Sequence, residues 1–180
     1  WAPARSETRS ANPDRQDWVD QAYTLWGVST GEPGTALYSK EDFREFLDQD
    51  VDPLSQFIVR GGKLLGFLLA TPQIHYRKNA RGRQTDVFIH ALAVRPDSRR
   101  QKIGAQLMNQ LADQIISSPK LSRYVRLGVD ADAQPANAFY TQLGFKPFDH
   151  YFDSQTAKTT LLLGVDAIRV SIPRDAAEPF

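Results

Sequence analysis

Residues 90–105 read HALAVRPDSRRQKIGA, and they join an apolar strand to a long helix through a short basic turn. Such a turn presents the backbone N–H groups and the positive dipole end of the helix at one spot, which suits a phosphate group. Gly104 removes a side chain where a ligand could press against the backbone. The pattern predicts a diphosphate site, and the alternative interpretation is a solvated helix cap.

Hydrophobic periodicity predicts the helices of the first two thirds of the chain. Apolar residues one turn apart predict that the helix after the basic turn runs from Arg99 to about Ser117, with Pro119 beyond it as a stop signal. Upstream, the same spacing predicts an amphipathic helix around residues 18–26 and a second one that begins at Ser39.

Turn signals between apolar runs predict the strands. A Gly pair at 61–62 separates residues 56–59 from residues 64–70 and supplies the positive φ that a tight hairpin turn needs. The polar residues 77–84 predict a second, looser hairpin loop, and the residues before Pro13 could hold a short edge strand. Further strands are expected at 87–94, 124–129, 145–152 and 159–170, and a helix is expected from about Pro135 to Leu143.

Composition bounds the function classes. The chain has 180 residues, of which 41% are hydrophobic and 24% are charged, a balance typical of one globular domain covering residues 1–180. The chain has 22 Lys and Arg and 21 Asp and Glu, so its net charge is only +1 and does not predict nucleic-acid binding. The lack of Cys excludes thiol nucleophiles, disulfides and cysteine-ligated metals. No apolar run is long enough to span a membrane, so we expect a cytoplasmic protein, either a monomer or a homodimer.

A second element lies one strand after the basic turn, where residues 136–145 read ANAFYTQLGF. In this order the two elements resemble the GNAT superfamily of acyl-CoA N-acyltransferases. Arg99 and Gly104 match its RxxGxG or RxxGxA turn, and residues 136–145 match its AxxFYxxxGF element without a gap. The resemblance covers about residues 14–170. It implies an α/β fold of the α+β type, a single domain with a mixed, mostly antiparallel sheet flanked by helices.

Two positions depart from the family pattern. Lys102 stands where the family usually has its first Gly, and Ala133 stands where the second element often begins with Asn. A Lys at this place is expected to present its N–H group at negative φ, while its Cβ holds the backbone further from the ligand.

The resemblance implies transfer of an acetyl group from acetyl-CoA to a primary amine within a ternary complex. The acceptor would be a small-molecule or peptide amine. A backbone N–H group of the strand at 92–94 would stabilise the oxyanion. The residues implied in binding acetyl-CoA are Leu92, Ala93, Val94, Arg99, Arg100, Gln101, Lys102, Ile103, Gly104, Ala105 and Phe139.

Two side chains are candidates for the proton transfers. A free alkylamine has a pKa of about 10.4, so some group must take a proton before attack. His90 is expected to act as base or to anchor a water chain, because its strand is similar to that of arylalkylamine N-acetyltransferases. In that group two His share the strand; His90 matches the second, and Phe88 occupies the place of the first. Tyr140 is expected to protonate the leaving thiolate, as the resemblance implies. The alternative interpretations are a core histidine and an aromatic packing residue.

Residues for the acceptor are less defined. Aromatic walls could come from Trp26, Tyr38 and Tyr151, whereas Phe43 is expected to pack in the core. Acidic residues that could recruit a cationic amine are Asp20, Glu32 and Asp48.

Two other functions remain open from the sequence. Because of Lys102 and Ala133, the chain could be a non-catalytic acyl-CoA-binding or regulatory domain. A nucleic-acid-binding module could use the basic residues between 77 and 83, although a solvated hairpin tip explains them as well; these residues are Arg77, Lys78, Arg81 and Arg83. His75 and His150 do not have metal-ligand spacing, and no metal is predicted.

Overall fold

The chain forms one mixed β-sheet with helices on both faces. The structure, a computed structural model, describes residues 15–30, 38–48, 54–75, 84–154 and 157–170. The strands in this part are β1 Gln56–Arg60, β2 Lys63–His75, β3 Gln84–Val94, β4 Tyr124–Asp130, β5 Lys146–Asp153 and β6 Lys158–Asp166. The α-helices are α1 Arg15–Thr30, α2 Lys40–Asp48, α3 Ile103–Ser117 and α4 Gln134–Gln142.

The strands lie in the order β1-β2-β3-β4-β6-β5. Neighbouring strands run antiparallel, except that β3 and β4 run parallel because the connection through α3 returns the chain to the same end of the sheet. The prediction of an α/β fold with a mixed, mostly antiparallel sheet flanked by helices is confirmed.

Two hydrophobic clusters cover the two faces of the sheet. On one face, α1 and α2 pack on β2 and β3, with Phe43 and Phe67 completely buried at the centre. On the other face, α3 packs through the apolar stripe that the sequence predicted, and residues of α4 join the same cluster. Because both faces are covered, residues 64–70 of β2 are buried without interruption.

Local signals explain two of the element boundaries. The side chain of Ser39 accepts a hydrogen bond from Asp42 N, and the carboxylate of Asp42 accepts one from Ser39 N, which forms a reciprocal cap at the start of α2. Gly61 and Gly62 adopt φ values of 57° and 73°, which a two-residue turn between β1 and β2 requires.

Four predicted boundaries are wrong, and one of them is the start of β3, which lies at Gln84 rather than at residue 87. The helix expected from Arg99 begins at Ile103, because Pro96–Ser98 form a 3-10 helix and residues 99–102 form a turn. The last strand ends at Asp166 rather than 170, where the Asp166 carboxylate accepts a hydrogen bond from Ile168 N and caps a short 3-10 helix. Conversely, β2 continues five residues past the predicted end at residue 70.

Some predictions fall outside the described residues. These include the possible edge strand before Pro13 and all of the second hairpin loop except Gln84, which begins β3. Among the helices that the structure does describe, each is too short or too polar to traverse a lipid bilayer.

Candidate active site

The parallel strands β3 and β4 separate towards their carboxyl ends. They pair only where Val87–Ile89 face Val125–Leu127, and in the described sheet this pairing does not continue along residues 90–94. Beyond this point β4 pairs with β6 alone, through to Asp130. The two strands therefore form a fork, defined here as residues 90–94 of β3 and 128–130 of β4, with backbone groups of β3 facing the gap.

A β-bulge at His90 coincides with the start of the fork. On β2, Leu69 faces Ala91 and Ala70 faces Ile89, so His90 is an extra residue on β3. The bulge changes the face of the following side chains: Ile89 belongs to the cluster under α3, whereas Ala91 belongs to the cluster under α1 and α2. Because a bulge increases the local twist, it turns β3 away from β4 at this position.

The basic turn holds two non-glycine residues with left-handed backbone. Arg100 has φ 63° and Lys102 has φ 59°, so the expectation that Lys102 keeps a negative φ is wrong. The backbone of this chain preserves the conformation that a Gly would adopt easily. For a residue with a Cβ, this conformation costs about 1–2 kcal/mol.

The turn leads into the amino-terminal end of α3. Gln106 N donates to Lys102 O at 2.9 Å, so the N–H groups of Ile103 and Gly104 come before the first full hydrogen bond of the helix. The side chains of Arg99 and Arg100 are exposed, and no described acidic group pairs with either of them. This end of α3 therefore has the amide groups, the dipole and the charge that bind an anion.

A carboxylate holds the segment before the turn. Asp97 accepts a hydrogen bond from Lys63 Nζ at 2.8 Å and another from Arg95 Nε at 3.3 Å. Hydrogen bonds from Lys63 and Ser98 lower the pKa of Asp97 to about 2. Asp97 thus occupies two nearby cations that could otherwise compete with the turn for an anion.

Gly66 on β2 allows α3 to lie close to the sheet. A Cβ atom built on Gly66 would lie 2.8 Å from Ile103 Cγ2 and 3.1 Å from the carbonyl oxygen of Ala93. Sequence reasoning did not single out this residue, although a Gly inside an apolar strand is itself a signal of close approach. Gly66 therefore positions the start of the helix against β3.

His90 is enclosed by polar and aromatic partners on the α1 and α2 face. Its Nε2 lies 2.7 Å from Thr71 Oγ1, and its Nδ1 lies 3.3 Å from the Tyr38 hydroxyl. The ring of Phe46 stacks on the imidazole with 3.9 Å between centroids, and Phe88 contacts its edge. Burial lowers the pKa of His90 to about 4, so the ring is neutral near pH 7. Thr71 and Phe46 were not assigned to the site from the sequence.

Tyr140 lies in the cluster on the opposite face. Its ring packs edge-on against Phe139 and Phe145, and only 8% of the residue is exposed. Burial raises the pKa of Tyr140, which keeps the phenol protonated. None of the hydrogen bonds described for this structure uses its hydroxyl group. Tyr140 is therefore a packing residue whose hydroxyl group keeps its proton.

The turn between β4 and α4 is fixed by Asn137. Its side-chain amide donates to the carbonyl oxygens of Asp130 at 3.0 Å and Ala131 at 3.1 Å. No side chain caps the helix at Ala133, where the family often has Asn. Asn137 was missed in the sequence, and by holding the start of α4 it contributes to the placement of Tyr140 one turn later.

The remaining predicted residues divide between the two faces of β3. Leu92 and Val94 pack on the cluster that contains Phe139 and Tyr140, whereas Ala93 lies in the cluster under α1 and α2. His90 and Tyr140 share no direct contact. They lie on opposite faces of the sheet. The fork opens between β3, which carries His90, and β4, which precedes the helix that carries Tyr140.

The acceptor side is defined in part. Tyr38 is half-buried, and burial together with the electrostatic effects of Tyr151 and Asp42 raises its pKa. Phe43 is completely buried, as expected for a core residue, and Trp26 packs against it. Asp20 forms an ion pair with Lys40 at 2.8 Å. The side chains of Glu32 and Asp48, and the basic cluster at 77–83, lie outside the described residues.

The sequence matches the family model described as Acetyltransferase (GNAT) family over residues 16–145. With this match, the forked sheet and the anion-binding helix end define an acetyl-CoA-dependent N-acetyltransferase. The chain belongs to the acetyltransferase (GNAT) family, as its two motifs predicted. Membership supports a catalytic protein over a domain that only binds acyl-CoA. No curated protein matches the chain.

Solved structures of N-acetyltransferases share the fold. Arabidopsis thaliana NAA60 in complex with acetyl-CoA is 22% identical, with a TM-score of 0.66 over 88% of this chain and 98% of that one. The NatC complex bound to Gag peptide and CoA gives 17% identity and a TM-score of 0.70, over 88% and 96% of the two chains. An aminoglycoside 6'-N-acetyltransferase complexed with coenzyme A gives 18% and 0.64, over 94% and 99%.

Proposed function

We propose that the enzyme transfers an acetyl group directly from acetyl-CoA to a primary amine while both are bound. The observation that supports this proposal is the position of the fork between two titratable side chains, His90 on one face of the sheet and Tyr140 on the other. A thioester that enters the gap between β3 and β4 would present its carbonyl carbon to one face and its sulfur to the other.

Acetyl-CoA would be held by the turn and by the open edge of β3. The N–H groups at the start of α3, with Arg99 and Arg100, would bind the diphosphate, and Gln101 and Lys102 complete the exposed turn. Backbone N–H groups of residues 92–94 that face the gap would donate to the thioester oxygen. The second role uses backbone groups of β3 that do not pair with β4 in the described sheet.

His90 would act on the amine as base or as anchor of a chain that carries the proton. Its pKa of about 4 means that it accepts a proton weakly, although it is neutral and ready to accept at pH 7. Both ring nitrogens already have partners within hydrogen-bond distance. These contacts favour the anchor role over direct abstraction by a free imidazole.

Tyr140 would act on the leaving sulfur. Burial keeps the phenol protonated and also disfavours the phenolate that a full proton transfer would leave. The hydroxyl would therefore stabilise the charge that develops on the sulfur by a hydrogen bond and release its proton as the carbon–sulfur bond breaks.

The acceptor would be a small-molecule or peptide amine that meets an aromatic surface. Tyr38, Phe46 and Phe88 surround His90, and Asp42, whose charge contributes to the raised pKa of Tyr38, is engaged in the cap of α2. This environment favours an amine that arrives uncharged and carries an apolar or aromatic group. That residues 1–180 act as one domain, as a monomer or homodimer, in the cytoplasm and without a metal, stays a prediction from the sequence.

CoA release measured across a panel of arylalkylamines, polyamines, aminoglycosides and amino-terminal peptides tests this function. Wild-type protein should release CoA only with amines that become acetylated, and Tyr140→Phe should lower kcat by about 10²-fold or more. Unchanged turnover by Tyr140→Phe at every pH would remove the proposed acid.

A double variant of the basic turn tests the contacts with the diphosphate. Arg99→Ala combined with Arg100→Ala should weaken acetyl-CoA binding, measured by isothermal titration, because two cations beside the diphosphate are lost. The matched control is Arg60→Ala combined with Arg123→Ala, which removes the same charge from two exposed positions. Equal affinities of the two double variants would exclude the role assigned to the turn.

A further inference from the structure

The side chains of Thr71, His90 and Tyr38 form one hydrogen-bonded row that links β2, β3 and the segment before α2. The distances are 2.7 Å between Thr71 Oγ1 and His90 Nε2, and 3.3 Å between His90 Nδ1 and the Tyr38 hydroxyl. Thr71 is 4% exposed, so the row begins inside the sheet and ends at Tyr38. The polar group at its outer end is a phenol rather than the imidazole.

The imidazole itself has neighbours at both nitrogens, on one face and at its edges. Both nitrogens are within reach of a hydroxyl group, one face is covered by Phe46, and Phe88 and Tyr38 contact the edges with centroid distances of 5.1 Å and 5.5 Å. An amine could bond to a ring nitrogen only by displacing Thr71 or Tyr38. The arrangement fits a residue that holds its neighbours in place.

The Tyr38 hydroxyl keeps hydrogen-bonding capacity whichever nitrogen of the neutral ring carries the proton. If Nδ1 is protonated, it donates to the phenol oxygen, which keeps its own O–H and a lone pair; if Nε2 is protonated, the phenol donates to Nδ1 and keeps lone pairs. In both tautomers the oxygen of Tyr38 can accept a hydrogen bond from an N–H group. Burial, Tyr151 and Asp42 raise the pKa of Tyr38, which keeps it a neutral phenol.

Tyr38 is the end of the row that lies outside the sheet. It belongs to the segment before α2 and is partly exposed, whereas Thr71 at the other end is buried in β2. Tyr151, which contributes to the raised pKa of Tyr38, is 47% exposed on the edge strand β5. An acceptor that approaches from solvent can therefore reach Tyr38 without entering the sheet.

We infer that the Tyr38 hydroxyl is the specificity-determining contact for the acceptor amine: it accepts a hydrogen bond from the uncharged amine N–H group, and Thr71 and His90 are positioning residues that fix its orientation. This inference rests on the proposed acetyl transfer and adds to it the group that the amine contacts. The substrate class that we infer is a primary amine attached to an apolar or aromatic group, because the rings of Phe46 and Phe88 lie beside the row.

The test compares Tyr38→Phe with wild type in steady-state kinetics, with the best amine of the panel as the varied substrate. Loss of one phenol oxygen should lower kcat/KM for the amine at least about tenfold, mainly through KM, because a bound N–H group loses its acceptor. Affinity for acetyl-CoA should not change, because the contact lies on the amine side. The matched control is Tyr23→Phe, which removes a phenol oxygen from the same aromatic cluster, where Tyr23 packs against Phe43.

The positioning role is tested by a double-mutant cycle. Thr71→Val should lower kcat/KM for the amine by a smaller factor, Thr71→Ser should restore it, and the combination of Thr71→Val with Tyr38→Phe should be no worse than Tyr38→Phe alone. If the factors by which the two single variants lower kcat/KM multiply in the combined variant, Thr71 does not act through Tyr38. That result would overturn the positioning role.

The outcomes separate this inference from the proposed function. In one outcome, the wild-type protein transfers acetyl groups and Tyr38→Phe keeps kcat/KM for the amine within about twofold of wild type, instead of the tenfold loss expected. This outcome would overturn the inference and leave the proposed acetyl transfer intact. A wild-type protein that binds acetyl-CoA and acetylates no amine would overturn both. A Tyr38→Phe variant that loses acetyl-CoA affinity together with amine kinetics would also count against the inference, since the contact would then be structural.

Discussion

The Nε atom of Arg126 on β4 lies 3.3 Å from Oδ2 of Asp86 on β3, and this ion pair joins the two strands beside the three residue pairs where they run parallel. Asp86 is completely buried and also accepts a hydrogen bond from the Ser122 hydroxyl. The pair closes the fork at the end opposite to its opening. The ion pair therefore holds β3 and β4 together at one end, whereas the active site requires the same strands to be apart at the fork.

Removal of the carboxylate at this closed end should destabilise the fold. Asp86→Ala leaves the Arg126 guanidinium buried without its partner, so we expect the free energy of unfolding to fall by about 3–5 kcal/mol. Urea unfolding followed by circular dichroism measures the change. Asp149→Ala, at an exposed position of β5, is the control and should have little effect. Equal stability of the two variants would show that the pair does not bind the strands together.

A methyl group at Gly66 should disturb the start of α3. The Cβ of Gly66→Ala would meet Ile103 Cγ2 at 2.8 Å and Ala93 O at 3.1 Å, so the helix must move away from β3 or the core must yield. We expect a loss of about 1–3 kcal/mol in stability and weaker acetyl-CoA binding. Gly128→Ala, whose Cβ would approach only side-chain atoms of Thr160 and Leu162, is the comparison for stability alone, because Gly128 belongs to the fork. Wild-type affinity in Gly66→Ala would contradict the positioning role of Gly66.

Relief of the left-handed backbone at Lys102 should stabilise the protein. A Gly at this position removes a conformational cost of about 1–2 kcal/mol, and part of this gain is offset by about 0.4–1 kcal/mol because Gly adds entropy to the unfolded chain. The expected net gain for Lys102→Gly is about 0.5–1 kcal/mol in chemical denaturation. Lys120→Gly changes an exposed Lys in another turn, where φ is not positive, and should destabilise. A loss of stability in Lys102→Gly would contradict the strain assigned to this turn.

The depressed pKa of His90 predicts a pH dependence of stability. The pKa is about 4 in the folded protein and about 6.5 in the unfolded chain, so between these values the unfolded chain binds more protons. The contribution of a neutral His90 is complete above about pH 6.5 and is lost as the pH falls towards 4. His90→Gln should therefore show a flatter decline of the free energy of unfolding than wild type between about pH 7 and pH 4.5. His150→Gln, at an exposed position, should follow the wild-type curve.

Sequence reasoning found the elements whose signals are local. The apolar stripe of α3, the Gly pair of the first hairpin and the order of strands and helices follow from periodicity and turn residues, and the motifs located Tyr140 and the basic turn. The start of α3 was missed because Arg100 and Lys102 adopt left-handed backbone, which these residue types do not favour and their sequence therefore does not indicate.

The site residues that were missed depend on contacts between distant segments. Thr71 is a neighbour of His90 only because β2 pairs with β3 in one register, with a bulge that no local pattern announces. The stacking of Phe46 on His90 also requires α2 to pack over the bulge. The Asp86–Arg126 pair likewise joins residues that are forty positions apart in sequence.

In the proposed complex, acetyl-CoA enters the fork between β3 and β4 with its diphosphate at the start of α3. A crystal structure with a non-hydrolysable acetyl-CoA analogue measures this directly. We expect diphosphate oxygens within hydrogen-bond distance of backbone N–H groups in the turn at 102–106, and the atom that replaces the sulfur within hydrogen-bond reach of the Tyr140 hydroxyl. A ligand bound outside the fork, or a Tyr140 hydroxyl separated from that atom by the packed side chains of α4, would contradict it.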